Sequence, residues 1–360
     1  MSRKLLALSL TATSWGGAAF AEVPSVAVDI APVHSLVARV MDGVGKPDLI
    51  VQPGASPHEY SLRPSEAQAL QDANLVFWIG PDLTPWLADT IETLSAGATA
   101  IELMEADGTI ELEFRESALF EPHDHEAHDD HGDEDHGEHD DDHDEEGHDD
   151  HGDDEEGRND HAEEGHEDHG DEDHEDHDDH AEAGHEGHDH GAHDPHAWLS
   201  AQNAKTWLNV IAGQLSAADP DNAGAYFANA AAGRDEIDTM IAEVKATLEP
   251  VSGGQFIVFH DAYQYFENDF GFPAAGAISI GDASDPGPAR IAEIQARITD
   301  EGIDCVLAEP QYNPSLIATV LDGTEAKTGI LDPLGSDLEP GAGLYPQLIR
   351  NLSTALAGCL

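Results

Sequence analysis

The chain has 360 residues, with 14 Lys and Arg against 75 Asp and Glu, a formal net charge of −61. Charge of that sign excludes binding driven by neutralising nucleic-acid phosphates, and it disfavours an anionic membrane surface. The length is ample for two domains with sizeable cores, since 39% of the residues are hydrophobic.

Residues 1–21 read as an export signal. Arg3 and Lys4 precede an apolar stretch from Leu5, and Ala19-Phe20-Ala21 fits the small-x-small cleavage rule. The mature chain is expected to begin at Glu22, with no lipid anchor because no Cys follows the apolar stretch, and to reside in a periplasm. No later stretch approaches the ~20 apolar residues of a membrane span.

The mature chain then alternates strand and helix signals. Strands are predicted at Val26–Ile30, Leu49–Val51, Leu75–Ile79 and Ala100–Leu103. Helices are predicted at Val33–Met41, at Ser65–Ala73 with Ser65 as cap, and at Leu83–Leu94. This order argues for a parallel sheet flanked by helices, in a first lobe spanning 22–221.

Residues 121–194 interrupt that lobe. They hold 37 acids, one basic residue (Arg158) and 19 of the 23 His, with almost nothing apolar to bury. Such a segment cannot offset its ordering entropy, so it is expected to be disordered. A merely solvating acidic tract has no need of so many imidazoles, which are common neutral ligands for zinc and similar ions. His123, His125, His128, His131, His174, His177, His180, His185, His188 and His190 are therefore expected to capture metal, as many interchangeable weak ligand sets. No CxxC or HExxH element defines a fixed site.

After the tract comes a helix, then a long helical stretch over 222–249. Tyr226, Phe227, Ala230, Ala231, Ile237, Met240, Ile241, Val244 and Leu248 keep helical spacing, Asp221-Asn222 offers a cap, and Pro250 ends it. It would span roughly 40 Å and act as a stiff connector, with Gly233 a weak point costing about 1 kcal/mol relative to Ala. Residues 250–360 repeat the alternation. Strands are predicted at Phe256–Phe259, Ala277–Ile280, Cys305–Ala308 and Thr328–Leu331, and helices at Tyr263–Phe270, Arg290–Thr299, Ser315–Leu321 and Tyr345–Leu356. The expected fold class is α/β: two lobes with mainly parallel sheets, joined by one long rigid helix. Cys305 and Cys359 are the two cysteines; in an exported chain they are most simply a disulfide, and their spacing lacks the CxxC element of a zinc site.

Four His lie outside the tract. His58 sits in a loop after a strand, His196 at the tract's edge before a helix, and His260 at a strand's end, where α/β sheets place ligand sites. His34, early in a helix, reads as structural. Three neutral imidazoles with one further position suit tetrahedral Zn²⁺. Two of them come from the first lobe and one from the second, which puts the ion in the cleft between lobes.

The motifs Pro53-Gly54-Ala55-Ser56-Pro57-His58-Glu59-Tyr60-Ser61-Leu62-Arg63-Pro64-Ser65, Asp194-Pro195-His196-Ala197-Trp198-Leu199-Ser200 and Val258-Phe259-His260-Asp261-Ala262-Tyr263 carry a family resemblance. So do Ala308-Glu309-Pro310-Gln311 and Leu331-Asp332-Pro333-Leu334-Gly335. Over nearly the whole mature chain the sequence resembles the ZnuA-type periplasmic zinc-binding receptors that feed ABC transporters. The resemblance implies two α/β lobes, a long backbone helix and a cleft metal held by His58, His196 and His260. It implies a His-rich loop before the second ligand, paired Cys305 and Cys359, and a membrane permease as partner of a monomeric receptor. For the fourth position it leaves Asp332, Glu59 and water open. His260 favours zinc, because relatives preferring manganese carry a carboxylate there and a hard oxygen ligand suits Mn²⁺ better. The rival readings are a zinc buffer or chaperone without a transporter, a manganese or iron receptor, and a zinc hydrolase using Glu59 or Asp261 as general base.

Overall fold

A computed structural model describes residues 23–115, 120, 193–279 and 286–360. The export signal and the ten tract His named above lie outside these residues; of 121–194, His193 and Asp194 lie within them.

The first sheet comprises β1 (Val26–Val28), β2 (Asp48–Leu49), β3 (Leu75–Trp78) and β4 (Thr99–Glu102). Between them run helices α1 (Ala31–Val40), α2 (Pro64–Asp72) and α3 (Pro85–Leu94). A 3-10 turn at Ala197–Leu199 leads into α4 (Ala201–Ala218), and α5 (Ala223–Leu248) follows. The second sheet comprises β5 (Phe256–His260), β6 (Gly276–Ser279), β7 (Cys305–Ala308) and β8 (Lys327–Ile330). Its helices are α6 (Gln264–Phe270), α7 (Pro288–Glu301), α8 (Pro314–Leu321) and the closing α9 (Leu344–Cys359). All strand pairs are parallel, in the orders β2-β1-β3-β4 and β6-β5-β7-β8. In each sheet the chain steps outward from a central strand and then crosses to that strand's other side. The carboxyl ends of β1 and β3, and of β5 and β7, therefore form topological switch points, where open α/β sheets bind ligands.

Side chains alternate across each sheet, as the period of two requires. Val26, Val28, Phe256 and Val258 face one continuous core shared with α1, α4, α5 and α9. Ala27 and Val76 face the layer made with α2 and α3, and Ile257, Phe259 and Val306 the layer with α7 and α8.

Two local expectations are corrected. Helix α2 starts at Pro64, not behind a Ser65 cap: Pro64 takes the first helical position, and the Glu66 Oε2 accepts the Arg63 N–H at 2.8 Å. Asn222 stands at the start of α5 but does not cap it; its amide donates to Asp219 Oδ2 at 2.7 Å across the 3-10 turn Pro220–Asn222.

Helix α5 has 26 residues and buries Tyr226, Ala230, Gly233, Ile237, Met240, Val244 and Leu248 along one stripe. It packs on α4, α9 and α1. Arg39 and Glu236 pair across it at 3.2 Å, and Arg350 and Glu243 at 2.6 Å. It is therefore a wall of the shared core, not a bare strut. The Cys305–Cys359 disulfide joins the start of β7 to the end of α9.

Candidate metal centre

Each of the three imidazoles is placed by a different local device. His260 is the last residue of β5, a strand buried along its whole length. His58 lies in the loop that leaves β2. There Gln52-Pro53-Gly54-Ala55 forms a turn closed by Ala55 N–H donating to Gln52 O at 3.2 Å, with Gly54 at φ 83°. Pro then Gly at the central positions suits such a turn, because the second needs positive φ. Farther on, Trp86 Nε1 donates to Pro57 O at 2.8 Å, and Tyr60 packs on the Trp86 ring. His196 opens the 3-10 turn before α4. Asp194 Oδ1 accepts its backbone N–H at 3.0 Å, and Ser200 caps α4 by accepting from Gln202 and Asn203.

The rings converge. Their centroids lie 5.5 Å apart for His58–His196, 6.5 Å for His58–His260 and 5.2 Å for His196–His260. One nitrogen from each lies within 4.8 Å of the other two. His196 Nε2 and His260 Nε2 are 3.3 Å apart. Two nitrogens at about 2.0–2.1 Å from a tetrahedral zinc stand about 3.3–3.4 Å from each other, so this pair already spans one edge of such a tetrahedron. A small cavity opens onto the three rings, lined also by Trp198, Glu309 and Tyr312. Trp198 lies against His196 and Tyr312 against His260, with centroids 5.2 and 5.4 Å away.

Carboxylates stand behind two of the rings. His196 Nδ1 is 2.7 Å from Asp194 Oδ1, and His260 Nδ1 is 2.7 Å from Glu309 Oε1. A carboxylate accepts and does not donate, so each Nδ1 carries the proton, and a neutral ring of this tautomer offers Nε2 to a metal. Glu309 follows β7 directly and so meets His260 across the second switch point. Asp261, next to His260, has its carboxyl pushed up to about 7 by burial, against the opposing charge of Arg115. Asp194 and Glu309 stand within the family motifs with no role assigned from sequence. The signals were an acid two residues before a candidate ligand and an acid one residue past a central strand.

The remaining candidates lie apart from the triad. Asp332 has both oxygens engaged: Oδ1 accepts from Gln311 Nε2 at 3.1 Å and Leu334 N at 3.0 Å, and Oδ2 accepts from Ser336 N and Oγ, each at 2.6 Å. It shapes the turn whose Pro333 carbonyl accepts from Trp198 Nε1 at 2.8 Å. Glu59 is exposed. His34 is buried in α1 with Nε2 at 3.1 Å from Pro47 O, and burial lowers its pKa, as for a structural imidazole.

The chain matches, over residues 26–359, the family described as ZnuA, zinc-uptake complex component A, periplasmic. The protein belongs to the ZnuA family. The high-affinity zinc uptake system protein ZnuA of Brucella abortus is 46% identical over 355 residues, covering 99% of this chain and 97% of that protein. The protein of the same description from Paracoccus denitrificans is 44% identical over 341 residues, covering 94% and 93%. A crystal structure of ZnuA shares the fold, with a TM-score of 0.66 over 94% of this chain and 99% of that one, at 18% identity. ZnuA-family proteins are binding components of an uptake complex, not enzymes, so the hydrolase reading is set aside.

Proposed function

We propose that this chain is the extracytoplasmic zinc receptor of an ABC-type importer. It takes Zn²⁺ as cargo on His58, His196 and His260 and yields it to a membrane permease. The observation that carries the reading is the approach of His196 and His260, with Nε2 atoms 3.3 Å apart and each ring held from behind by a carboxylate. His58, from the far end of a separate loop, supplies the third nitrogen. Water fills the fourth position, because the oxygens of Asp332 already accept from Gln311, Leu334 and Ser336. Three imidazoles favour zinc over harder ions such as manganese.

Residues 22–221 and 250–360 act as two lobes with 222–249 between them, and export ends with cleavage after Ala21. Because α5 is packed into the shared core, zinc binding orders loops and shifts the lobes slightly in place of wide closure. The His-rich tract raises the local metal concentration beside the tight site.

Zinc titration against a competing chelator tests this on the wild type, on His260→Ala and on a deletion of residues 121–192. His260→Ala should weaken the tight site by more than the roughly 10- to 100-fold that loss of an outer partner costs. The deletion should keep the tight site and lose only weak ones. Tight zinc binding that survives His260→Ala, or that vanishes with the tract, would refute the reading.

A further inference from the structure

Beside the proposed zinc ligands lies a buried charge cluster that their own chemistry does not require. Arg115 Nη2 donates to Glu267 Oε2 at 2.7 Å and Nη1 to Glu267 Oε1 at 3.4 Å. The same Nη1 is 3.3 Å from Asp261 Oδ1, on the residue after His260. The guanidinium carbon sits 3.9 Å from the centroid of the Phe120 ring. Asp194, whose Oδ1 holds His196, adds its negative charge to the surroundings of both Asp261 and Glu267. Asp194, Asp261 and Glu267 are 1%, 7% and 6% exposed, so the cluster is shut off from water.

The arm that brings Arg115 here is fastened at several points. Ile110 exchanges two hydrogen bonds with the Asn203 amide, at 2.7 and 3.0 Å. Leu112 N–H donates to Tyr265 Oη at 3.0 Å, and Tyr265 Oη donates to Asp194 O at 2.8 Å. Asp194 N–H donates to Leu112 O at 2.8 Å. The Gln264 amide, oriented as its neighbours require, donates to Glu113 O and to Asp194 Oδ2 at 3.1 and 3.2 Å. Arg115 and Asp194 therefore stand on adjoining segments beside the start of α6.

We propose that Arg115 is a positioning residue for zinc. By gripping Glu267 and Asp261 it anchors the segment whose Leu112 O accepts the Asp194 N–H, and so keeps Asp194 behind His196 with Nε2 aimed at the ion. The proposal rests on the reading of the three imidazoles as zinc ligands. A planar guanidinium spans two carboxylates at once, which the point charge of a lysine does less well. A salt bridge of purely structural value would change the stability of the zinc-free protein and leave affinity alone.

The test is a double-mutant cycle in the full chain, with zinc affinity read by chelator competition and the ligand field read from the visible absorption of the Co²⁺-substituted protein. Arg115→Met should weaken zinc about tenfold and change the Co²⁺ bands, with Arg115→Lys falling between it and the wild type. In an Asp194→Ala background the same Arg115→Met change should cost less than about twofold, because the residue it acts through is gone. Wild-type affinity in Arg115→Met, or an equal loss with and without Asp194, would overturn the proposal. So would a drop in zinc-free melting temperature with no change in affinity. Should Arg115→Met fail to fold, the cycle is read with Arg115→Lys. His260→Ala separates the two ideas: if it keeps tight binding, the ligand assignment fails; if it loses binding while both Arg115 variants keep theirs, only the role of Arg115 fails.

Discussion

His196 and His260, 64 positions apart in the chain, face each other through Nε2 atoms 3.3 Å apart, and each donates its Nδ1 proton to a carboxylate oxygen 2.7 Å away. One ring hangs from a turn before α4 and the other from the end of β5. Their approach is thus a property of the tertiary fold, and their shared tautomer is a property of Asp194 and Glu309. The Nε2 separation matches one edge of a tetrahedral zinc site.

Glu309 gives a direct test of the tautomer argument. It is 4% exposed and accepts both the Nδ1 proton of His260 and, at 3.3 Å, the backbone N–H of the same residue. Glu309→Ala should leave the fold intact and weaken zinc about 10- to 100-fold. Glu309→Gln, whose amide oxygen can still accept, should recover part of the loss. Affinities by chelator competition within twofold of wild type in both variants would show that the carboxylate does not orient the ring.

The disulfide should separate stability from binding. Cys305 opens β7 while Glu309 follows that strand's other end, so the bridge and the His260–Glu309 pair lie at opposite ends of β7. Closing a loop with a sequence separation of 54 contributes about 4 kcal/mol in the chain-entropy model. Cys305→Ser with Cys359→Ser should lower the melting temperature of the zinc-free protein and leave zinc affinity unchanged. A matching fall in affinity would show that the bridge supports the site.

Much of this was legible in the sequence, for identifiable reasons. Short all-apolar runs such as Leu75–Ile79 mark strands covered on both faces, and the alternation of strand and helix specifies parallel sheets. His58, His196 and His260 stood out because each follows a strand or borders a loop mouth. Hydrogen bonds between distant segments carry no such local mark. Asp332 is a candidate through the family resemblance alone, and in the structure its oxygens accept from Leu334, Ser336 and Gln311. Arg115 gave no signal, because its value lies in Asp261 and Glu267, about 150 residues along the chain.

Gly233 illustrates the same limit and yields a prediction. From helix propensity alone it is a weak point in α5. In the structure it is buried, and a Cβ there would meet Leu208 Cδ1 at 3.0 Å and Arg39 Cγ at 3.2 Å. The missing side chain lets α5 lie close against α4 and α1. Gly233→Ala should therefore gain nothing from its propensity advantage of about 1 kcal/mol. Gly233→Val should cost about 1–3 kcal/mol through overpacking. Urea unfolding of the zinc-free protein measures both, and a stabilised Ala variant would show that the helices part at no cost.

Asp29 occupies the first sheet's switch point as Glu309 occupies the second's. It follows β1, and its Oδ2 accepts the N–H of Ile79, just past β3, at 2.7 Å while Oδ1 accepts that of Ile30 at 2.7 Å. The carboxylate thus ties the two central strand ends together where the other sheet opens onto the imidazoles. It is fully buried, and burial pushes its pKa from 3.8 up to about 7 despite the N–H donors. The folded protein then holds this proton more tightly than the unfolded chain does. Its contribution to stability is fully present below about pH 4 and is lost as the pH rises through about 7. Asp29→Asn cannot titrate, and its amide presents N–H to a backbone donor, so the variant should be less stable than wild type at acidic pH. Between pH 4.5 and 8 the difference should shift in the variant's favour by a few kcal/mol, at about 1.4 kcal/mol per pKa unit. Denaturant titrations of the zinc-free protein across that range measure it. Parallel stability curves for the two proteins would mean that the N–H donors, and not burial, set the charge of Asp29.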